Sequence, residues 1–306
     1  MQKSNRRLPS KDFYVLLPIV AAVAVASCTS RGAKEARELR SSCGEGDVAA
    51  CNELGVKVQI GEWVLRDAPH AARLFRQACE GGVADGCVNL GRMHRDSSGV
   101  PHDLEQAMGF FRQGCDGGAM NGCLDLGAMY RDSGGIGLDL SRAADLFRQA
   151  CDGAEMQGCA ELGILFEQGQ DFEQDFARAA ELFQRACEGD FMEGCSRLAG
   201  LYADGLGVLQ DVGRGIDLYR QACDSAYVEG CLELGVRYVE GIGVAQDFDQ
   251  AVELFDRACN GQSGEACFRI GEMYANGMGL ERNLVHALRF FRRACRMGYE
   301  EGCGRD

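Results

Sequence analysis

Residues 77–91 read "QACEGGVADGCVNLG", which places Cys79 and Cys87 eight positions apart on either side of a glycine-rich break. The same figure returns along the chain as "GCDGGAMNGCLDLG", "ACDGAEMQGCAELG" and "ACDSAYVEGCLELG". Self-similarity at a fixed period is typical of repeat architectures. We therefore expect most of the chain to be built from one repeated unit, and the cysteines to mark its period.

Two series of cysteines recur with a step of 36 residues and without an insertion. The first series is Cys43, Cys79, Cys115, Cys151, Cys187, Cys223, Cys259 and Cys295. The second series, eight residues later each time, is Cys51, Cys87, Cys123, Cys159, Cys195, Cys231, Cys267 and Cys303. Cys28 is the one cysteine that belongs to neither series.

Each period contains two amphipathic helices, which we call helix A and helix B. In helix A the second cysteine, a leucine such as Leu234, the next glycine and Tyr238 form an i, i+3, i+4, i+7 stripe. After a glycine-rich turn, Asp247 has the short acceptor side chain of a helix N-cap and begins helix B. Helix B carries Ala251, and Phe255 follows four residues later. It ends at the next cysteine of the first series.

The first 27 residues have the pattern of a bacterial lipoprotein signal peptide. Four basic residues precede the apolar stretch "FYVLLPIVAAVAVAS", which is shorter than a typical membrane-spanning helix. The stretch leads into "VASC" (25–28), which resembles a lipobox, the motif whose cysteine takes a diacylglycerol. We expect Cys28 to be lipidated. The alternative is a plain secretory peptide that ends near a cysteine.

A hairpin of helices A and B cannot bury its apolar stripe alone, so neighbouring hairpins must stack. The sequence therefore predicts an all-α fold, a right-handed α/α solenoid of 36-residue helical hairpins stapled by disulfides. Residues 33–43 are predicted to form a lone helix B that caps the array. The predicted domains are the signal peptide (1–27), a lipid-anchored tether with the capping helix (28–42), and a solenoid of seven repeats plus a truncated eighth (43–306).

The cysteines are predicted to form structural disulfides in an oxidising compartment. The end of helix B and the start of the next helix A are separated by a short loop, so Cys43 can reach Cys51, and so on to Cys295 with Cys303. A rival connectivity joins the two ends of one hairpin, as in Cys51 with Cys79. The rival leaves two cysteines unpaired, whereas local pairing uses all sixteen. The spacing of eight lacks the CxxC knuckle of zinc sites, and no metal site is predicted.

Charge and motifs exclude several function classes. The formal net charge is −14, so the phosphate attraction that drives nucleic-acid binding is lacking, and we expect no nucleic-acid partner. The mature chain contains no S-x-x-K, G-x-S-x-G or H-E-x-x-H motif, so no catalytic residue and no cofactor is predicted. His94 occupies the aromatic position of helix A, and we expect it to be a packed core residue.

Residues 234–259, "LGVRYVEGIGVAQDFDQAVELFDRAC", resemble the Sel1-like repeat, a 36-residue relative of the tetratricopeptide repeat. With the eight-spaced cysteines, the chain over 43–303 is similar to the Helicobacter cysteine-rich proteins, whose bridges join neighbouring helices. The resemblance implies a secreted or periplasmic adaptor, and some members carry a β-lactamase label with penicillin binding.

The expected function is a lipid-anchored extracytoplasmic scaffold that binds proteins or peptides at the bacterial cell envelope. The expected location is the periplasmic face of the outer membrane or the cell surface. The alternative is a penicillin-binding or weakly hydrolytic β-lactamase-like protein.

The face of helix A opposite its apolar stripe is the predicted partner-binding groove. The position two residues after the second cysteine is never apolar in seven repeats, and it varies between repeats. Such a surface suits an extended polar or basic peptide, although any solvated helix face is polar. Trp63 is either an exposed anchor or a ring folded over the N-terminal cap. The predicted groove residues are Glu53, Asn89, Arg92, Asp125, Glu161, Arg197, Glu233 and Arg269.

Overall fold

A computed structural model describes residues 31–132, 137–169 and 173–305. Within these ranges all regular secondary structure is helical. None of the helices described there combines the length and the apolar composition that a bilayer crossing requires. The predicted signal peptide and Cys28 lie outside the described residues.

Seven helical hairpins follow a first helix, α1, which covers 31–44. Repeats one to seven each consist of a helix A and the helix B that follows it. The helices A are α2 (Val48–Ile60), α4 (Ala84–Arg95), α6 (Met120–Arg131), α8 (Met156–Gln168), α10 (Met192–Asp204), α12 (Val228–Glu240) and α14 (Gly264–Asn276). The helices B are α3 (Ala68–Glu80), α5 (Leu104–Asp116), α7 (Leu140–Asp152), α9 (Phe176–Glu188), α11 (Val212–Asp224), α13 (Phe248–Asn260) and α15 (Leu284–Arg296). A 3₁₀ helix, Glu300–Gly302, follows the last repeat.

The ends of the helices follow local sequence signals. Each helix B begins with a side-chain cap, as where Asp67 Oδ1 accepts a hydrogen bond from the backbone N–H of His70 at 2.9 Å. Several helices A end at a glycine with positive φ, as Gly205 does at 70°, a conformation that favours glycine. The caps of helices B are those predicted from the sequence: Asp67, Asp103, Asp139, Asp175, Asp211, Asp247 and Asn283.

The core lies between helices A and B and between neighbouring hairpins. The aromatic residue of helix B is buried in every repeat, and a leucine or isoleucine of helix A packs in the same core. The buried aromatic residues are Phe75, Phe111, Phe147, Phe183, Tyr219, Phe255 and Phe291. The predicted fold class, an all-α solenoid of disulfide-linked hairpins, is confirmed.

The disulfides join each helix B, or α1, to the start of the next element along the chain. Their Cα–Cα distances lie between 4.5 and 4.9 Å. Cys115 and Cys123 are both disulfide-bonded as well. The local connectivity, rather than its rival, is therefore found in Cys43–Cys51, Cys79–Cys87, Cys151–Cys159, Cys187–Cys195, Cys223–Cys231, Cys259–Cys267 and Cys295–Cys303.

The chain divides into two compact units, unit 1 up to Gly122 and unit 2 from Cys123 onward. In unit 1, α1 packs on the first hairpin, where Leu39 contacts its core, and Ala36 of α1 is buried. A Cβ on Gly32 would lie 2.4 Å from the ring of Trp63. The indole is therefore folded over the capping helix, although 43% of Trp63 is still exposed.

Candidate functional site on the helix A face

The helix A face is the surface formed by the positions of helices A that were predicted to line a groove. Among those eight residues Glu53 is exposed and the other seven are half-buried. In unit 2, α10 contacts α12, so helices A of neighbouring repeats lie side by side there. Polar side chains on this face can therefore meet between repeats.

Within unit 1, the helix A face is linked to its neighbours by polar contacts. Asn89 of repeat two donates a hydrogen bond from Nδ2 to Oδ1 of Asn52 in repeat one, at 3.0 Å. Lys57 of α2 forms an ion pair with Glu35 of α1 at 3.0 Å. The hydrogen bond that Lys57 donates to Glu35 is the main cause that raises the pKa of Lys57. This part of the face is therefore connected to the capping helix.

In unit 2, two ion pairs join the last turn of one helix A to the next helix A. The Arg131 guanidinium donates to Glu161, and Arg197 donates to Glu167 at 3.0 Å. Arg131 and Glu167 each lie eight residues after the second-series cysteine of their own repeat. Glu161 and Arg197 each lie two residues after the second-series cysteine of the following repeat. The side-chain hydrogen bond to Asp132, followed by the charge of Glu161, raises the pKa of Arg131.

This series of ion pairs is interrupted at repeat six. Ala203 occupies the position that holds Arg131 in repeat three, so Glu233 receives no cation from the preceding helix A. The nearest cation is Arg237 on the same helix, whose Nη2 lies 3.8 Å from Oε2 of Glu233. Glu229 forms no ion pair with any residue that the structure describes.

The neighbouring repeats differ from repeat six in a second way. In repeat five, Glu193 pairs with Arg197 one turn later at 2.9 Å, and in repeat seven, Glu265 pairs with Arg269 at 2.9 Å. The same two positions in repeat six are both glutamates. Two like charges at i and i+4 repel each other on a helix, so these two positions of repeat six carry an excess of negative charge that the same positions of repeats five and seven do not.

The two glutamates of repeat six, Glu229 and Glu233, line a cleft of about 460 Å³. Residues of α10 and α11 line it as well, including Arg197, whose partner Glu167 reaches it from α8. Three residues that carry hydroxyl groups, Ser196, Tyr219 and Tyr227, also line the cleft. The cleft therefore combines carboxylates, hydroxyls and one guanidinium on the helix A face.

Repeat five departs from the repeat pattern at five positions near this cleft. Ser196 takes a place that is apolar in most repeats, and Tyr219 takes the place of a phenylalanine. Ala199 replaces the glycine that the other repeats have in helix A, and Gly215 replaces the alanine that they have in helix B. A Cβ on Gly215 would lie 2.9 Å from the carbonyl oxygen of Ala199. A Cβ on Gly200 would lie 3.4 Å from Oη of Tyr219, so the small residue leaves room for the hydroxyl.

Burial raises the pKa of four groups around the cleft. Burial, with the charge of Glu233, raises the pKa of Tyr219 to about 12, and burial raises the pKa of Tyr227 to about 12. Both hydroxyls therefore keep their protons at neutral pH. Burial, followed by the charge of Glu265, raises the pKa of Glu229, and burial together with nearby carboxylates raises the pKa of Glu233.

The sequence pattern had indicated only part of this site. It pointed to Arg197 and Glu233, which the structure brings to one cleft, and to Glu161, which pairs with the preceding repeat. It missed Ser196 and Tyr219, and its only signal for them was that one repeat departs from the others at buried positions. Two predicted residues, Asp125 and Arg269, are half-buried elsewhere in unit 2.

His94 is packed in the core of repeat two. His94 is buried with 3% of its surface exposed, and its ring stacks on Phe110 with 5.6 Å between the ring centroids. Nδ1 of His94 lies 3.3 Å from the carbonyl oxygen of Pro101, which agrees with the predicted packed core residue. Among the residues that the structure describes, no group of three His, Cys, Asp or Glu side chains could hold a metal ion.

A family model described as the Sel1 repeat matches seven segments of this chain. The segments follow the seven hairpins closely, since each begins near the start of a helix A. A search of curated proteins found no match. The matched segments are residues 48–83, 84–118, 121–154, 157–191, 193–227, 228–263 and 264–299.

Solved structures with the same fold include two bacterial proteins. The c5321 protein, described as a protective antigen present in uropathogenic Escherichia coli strains, is 27% identical over 87% of this chain, with a TM-score of 0.74. This chain spans 57% of the length of that protein. A Sel1 repeat protein from Oxalobacter formigenes is 23% identical, with a TM-score of 0.71 over 88% of this chain and 78% of its own.

A third match is to a shorter protein. Cysteine-rich protein B of Helicobacter pylori is 24% identical over 42% of this chain and 93% of its own, with a TM-score of 0.36.

Proposed function

Because the chain belongs to the Sel1 repeat family, we propose that it is a scaffold that binds a protein or peptide through the helix A face of unit 2. The cleft lined by Ser196, Tyr219 and Glu233 is the observation that carries this proposal. There, the half-buried charged residues Arg197 and Glu233 lie beside the buried residues Ser196 and Tyr219. Stacked helical repeats characteristically present extended binding surfaces of this kind.

The charge of this surface indicates the chemistry of the partner. Carboxylates outnumber cations around the cleft, and the whole chain has a formal net charge of −14. Complementary charge guides association and selects between partners. An extended peptide that is polar or basic is therefore the partner that the surface fits best.

We also propose that a lipid on Cys28 holds the protein on a membrane that faces an oxidising space. Local disulfides such as Cys187–Cys195 support an extracytoplasmic location, because structural disulfides persist in oxidising compartments. The description of the Escherichia coli relative as a protective antigen agrees with a place at the cell envelope. The periplasmic face of the outer membrane or the cell surface would satisfy both arguments.

Membrane attachment is tested by fractionating cells that produce the native chain or the Cys28→Ala variant. The native protein should sediment with membranes and leave them only in detergent, whereas the variant should become soluble. If the variant remains in the membrane fraction, the lipid anchor is wrong. Lipid labelling of the native chain alone would support it directly.

Partner binding is tested by capture from an envelope extract with the full chain as bait. The variant Asp204→Lys/Glu240→Lys/Glu272→Lys reverses three charges that lie five or nine residues after a second-series cysteine, and therefore on the same side of helix A as the predicted groove. These changes leave the pairs of Arg131 and Arg197 in place. Captured partners should fall at least tenfold. All three positions lie in helices A of unit 2.

The matched control reverses three carboxylates away from that face, in Glu181→Lys/Glu253→Lys/Glu281→Lys. This control should capture as much as the native chain. Equal loss in both variants would mean that net charge, rather than the helix A face, determines capture. Nitrocefin turnover by the purified native chain would instead favour the hydrolase alternative.

A further inference from the structure

The cleft of repeats five and six lacks a cation that its neighbours possess. In repeat four, Glu161 is compensated by Arg131 from the preceding helix A. Glu233 holds the equivalent position in repeat six, and the residue facing it from the preceding repeat is Ala203, which has no charge. The environment of Glu233 therefore has room and charge for one further cationic group.

The cation that Glu233 finds on its own helix, Arg237, compensates it only in part. Arg237 lies at 3.8 Å, which is the outer limit of an ion pair, and it also lies against the ring of Tyr219, 6.0 Å from the ring centroid. Glu229, one turn earlier, adds a like charge to the same cleft. Burial raises the pKa of Glu233, the charge of Arg237 lowers it, and the charge of Glu229 raises it, with a net upward shift.

Ser196 gives an independent sign that the cleft takes a polar ligand. The residue is only 7% exposed, yet its hydroxyl forms no hydrogen bond with any described residue. Its Oγ is not sealed in the core, because the fully enclosed side-chain nitrogen and oxygen atoms without a partner among the described residues are His94 Nε2, Asn121 Oδ1 and Arg237 Nε. Ser196 lines the cleft, so its hydroxyl is open to a ligand bound there and can hydrogen-bond to it.

The remaining walls suit the stem of a long side chain. Gly200 leaves open space in front of Tyr219, and the ring of Tyr227 lines the same cleft. A cation on an alkyl stem buries the stem on such surfaces and leaves its head for polar groups. Aromatic faces also attract cations.

We propose that this cleft binds a cationic side chain, the ammonium of lysine or the guanidinium of arginine, from an extended peptide partner. The cation pairs with Glu233 and Glu229 and hydrogen-bonds to the hydroxyl of Ser196. The stem lies between Gly200 and Tyr227. This inference rests on the proposed peptide-binding function and assigns the partner chemistry of one site.

The test uses four fluorescein-labelled octapeptides with the sequence Gly-Ser-Gly-X-Gly-Ser-Gly-Ser, each with an amidated C-terminus. X is lysine, arginine, norleucine or glutamate, and norleucine keeps the stem of lysine without its charge. Fluorescence anisotropy with the full native chain should give a Kd at least tenfold lower for lysine or arginine than for norleucine. The comparison of lysine with arginine decides which cation the cleft prefers.

Two variants locate the preference at the cleft. Glu229→Gln/Glu233→Gln keeps the shape of the side chains and should reduce the preference to less than twofold. Ala203→Arg supplies the missing cation from within the chain, as Arg131 does for Glu161, and should have the same effect. The control Glu181→Gln/Glu253→Gln should keep the full preference.

Equal Kd values for the lysine, arginine and norleucine peptides with the native chain would overturn the proposal. A preference that survives in Glu229→Gln/Glu233→Gln would also overturn it, because the cation would then bind elsewhere. Circular dichroism of each variant checks its folding, and the isosteric double variant keeps the test valid if Ala203→Arg does not fold.

These outcomes are separate from those of the proposed function. If partner capture depends on the helix A face while the four peptides bind equally, the scaffold function is supported and the cation site is wrong. If the protein discriminates between the peptides but capture does not depend on the helix A face, the cation site is supported and the scaffold function is wrong.

Discussion

Gly163 of α8 lies so close to Phe183 of α9 that a Cβ on the glycine would fall 2.6 Å from Cε1 of the ring. The same approach recurs in other hairpins of unit 2, as where a Cβ on Gly235 would lie 2.7 Å from the Phe255 ring. The missing side chain therefore sets how closely helices A and B pack. The repeated glycine of helix A is a packing requirement, since it lies inside a helix and at no turn.

We expect Gly163→Ala to destabilise the protein by about 1–3 kcal/mol, because overpacking a rigid core displaces the ring of Phe183. Urea denaturation measures the change. The matched control is Gly109→Ala, also within a helix, where a Cβ would meet nothing within 4 Å. The control should gain up to about 1 kcal/mol from helix propensity. Equal effects at both positions would contradict the packing argument.

Removing one central disulfide should loosen the chain locally. In Cys187→Ala/Cys195→Ala, the loss of a small closed loop should cost roughly 2–3 kcal/mol. Hydrogen exchange followed by mass spectrometry should show faster exchange in α9 and α10 than in more distant repeats, because each repeat contacts only its neighbours. Uniform acceleration throughout the chain would show instead that the repeats unfold as one cooperative unit.

The aspartate caps of helices B should each contribute measurable stability. Asp247 accepts a hydrogen bond from the backbone N–H of Gln250 at 3.0 Å. Asp247→Ala removes this acceptor and should lower the free energy of unfolding by about 1 kcal/mol. Asp247→Ser keeps an acceptor and should retain most of the stability. Similar losses in the two variants would mean that the negative charge, rather than the cap, matters.

The carboxylates of the cleft should make stability depend on pH. Burial raises the folded-state pKa of Glu229 and of Glu233 above the unfolded values, so the native state holds these protons more firmly. Their stabilising contribution is complete below the unfolded pKa and is lost as pH rises through the folded pKa. Charged groups facing Glu233 are Arg237, Glu229, Glu240, Glu265 and, within the cleft, Arg197 and Glu167.

We therefore expect Glu229→Gln/Glu233→Gln to melt at a higher temperature than the native chain at pH 7. This advantage should shrink as pH falls and disappear near pH 4. Thermal melts from pH 4 to pH 8 measure it, with Glu181→Gln/Glu253→Gln as the control that should follow the native chain throughout. A double variant that melts lower than the native chain at pH 7 would show that the cleft compensates these charges after all.

Most of the fold could be predicted from the sequence because it depends on short-range rules. The N-cap at Asp247, the glycine at Gly205 and the pairing of Cys187 with Cys195 each involve residues close together in the chain. The same local signals then recur in all seven repeats. Agreement among caps, apolar stripes and cysteine spacing left little freedom for another architecture.

The site depends on contacts that the repeat pattern does not contain. The face opposite the stripe was predicted to be a polar partner-binding groove, yet Ile164 and Val236 on it are half-buried and pack against the core. The pairing of Arg131 with Glu161 depends on how two helices A lie beside each other. The cleft exists because Gly200 and Tyr219 depart from the pattern, and the consensus of the other repeats contains no information about such exceptions.

The nearest-neighbour pairing of the cysteines has a consequence for how the protein is made. In each observed pair, a cysteine bonds to the next cysteine along the chain. An oxidant that acts from the N-terminal end therefore forms the native bonds in order. Pairing in this order requires no reshuffling of disulfides. A free thiol ahead of Cys43 would shift the order by one, and the proposed acylation of Cys28 would remove that thiol.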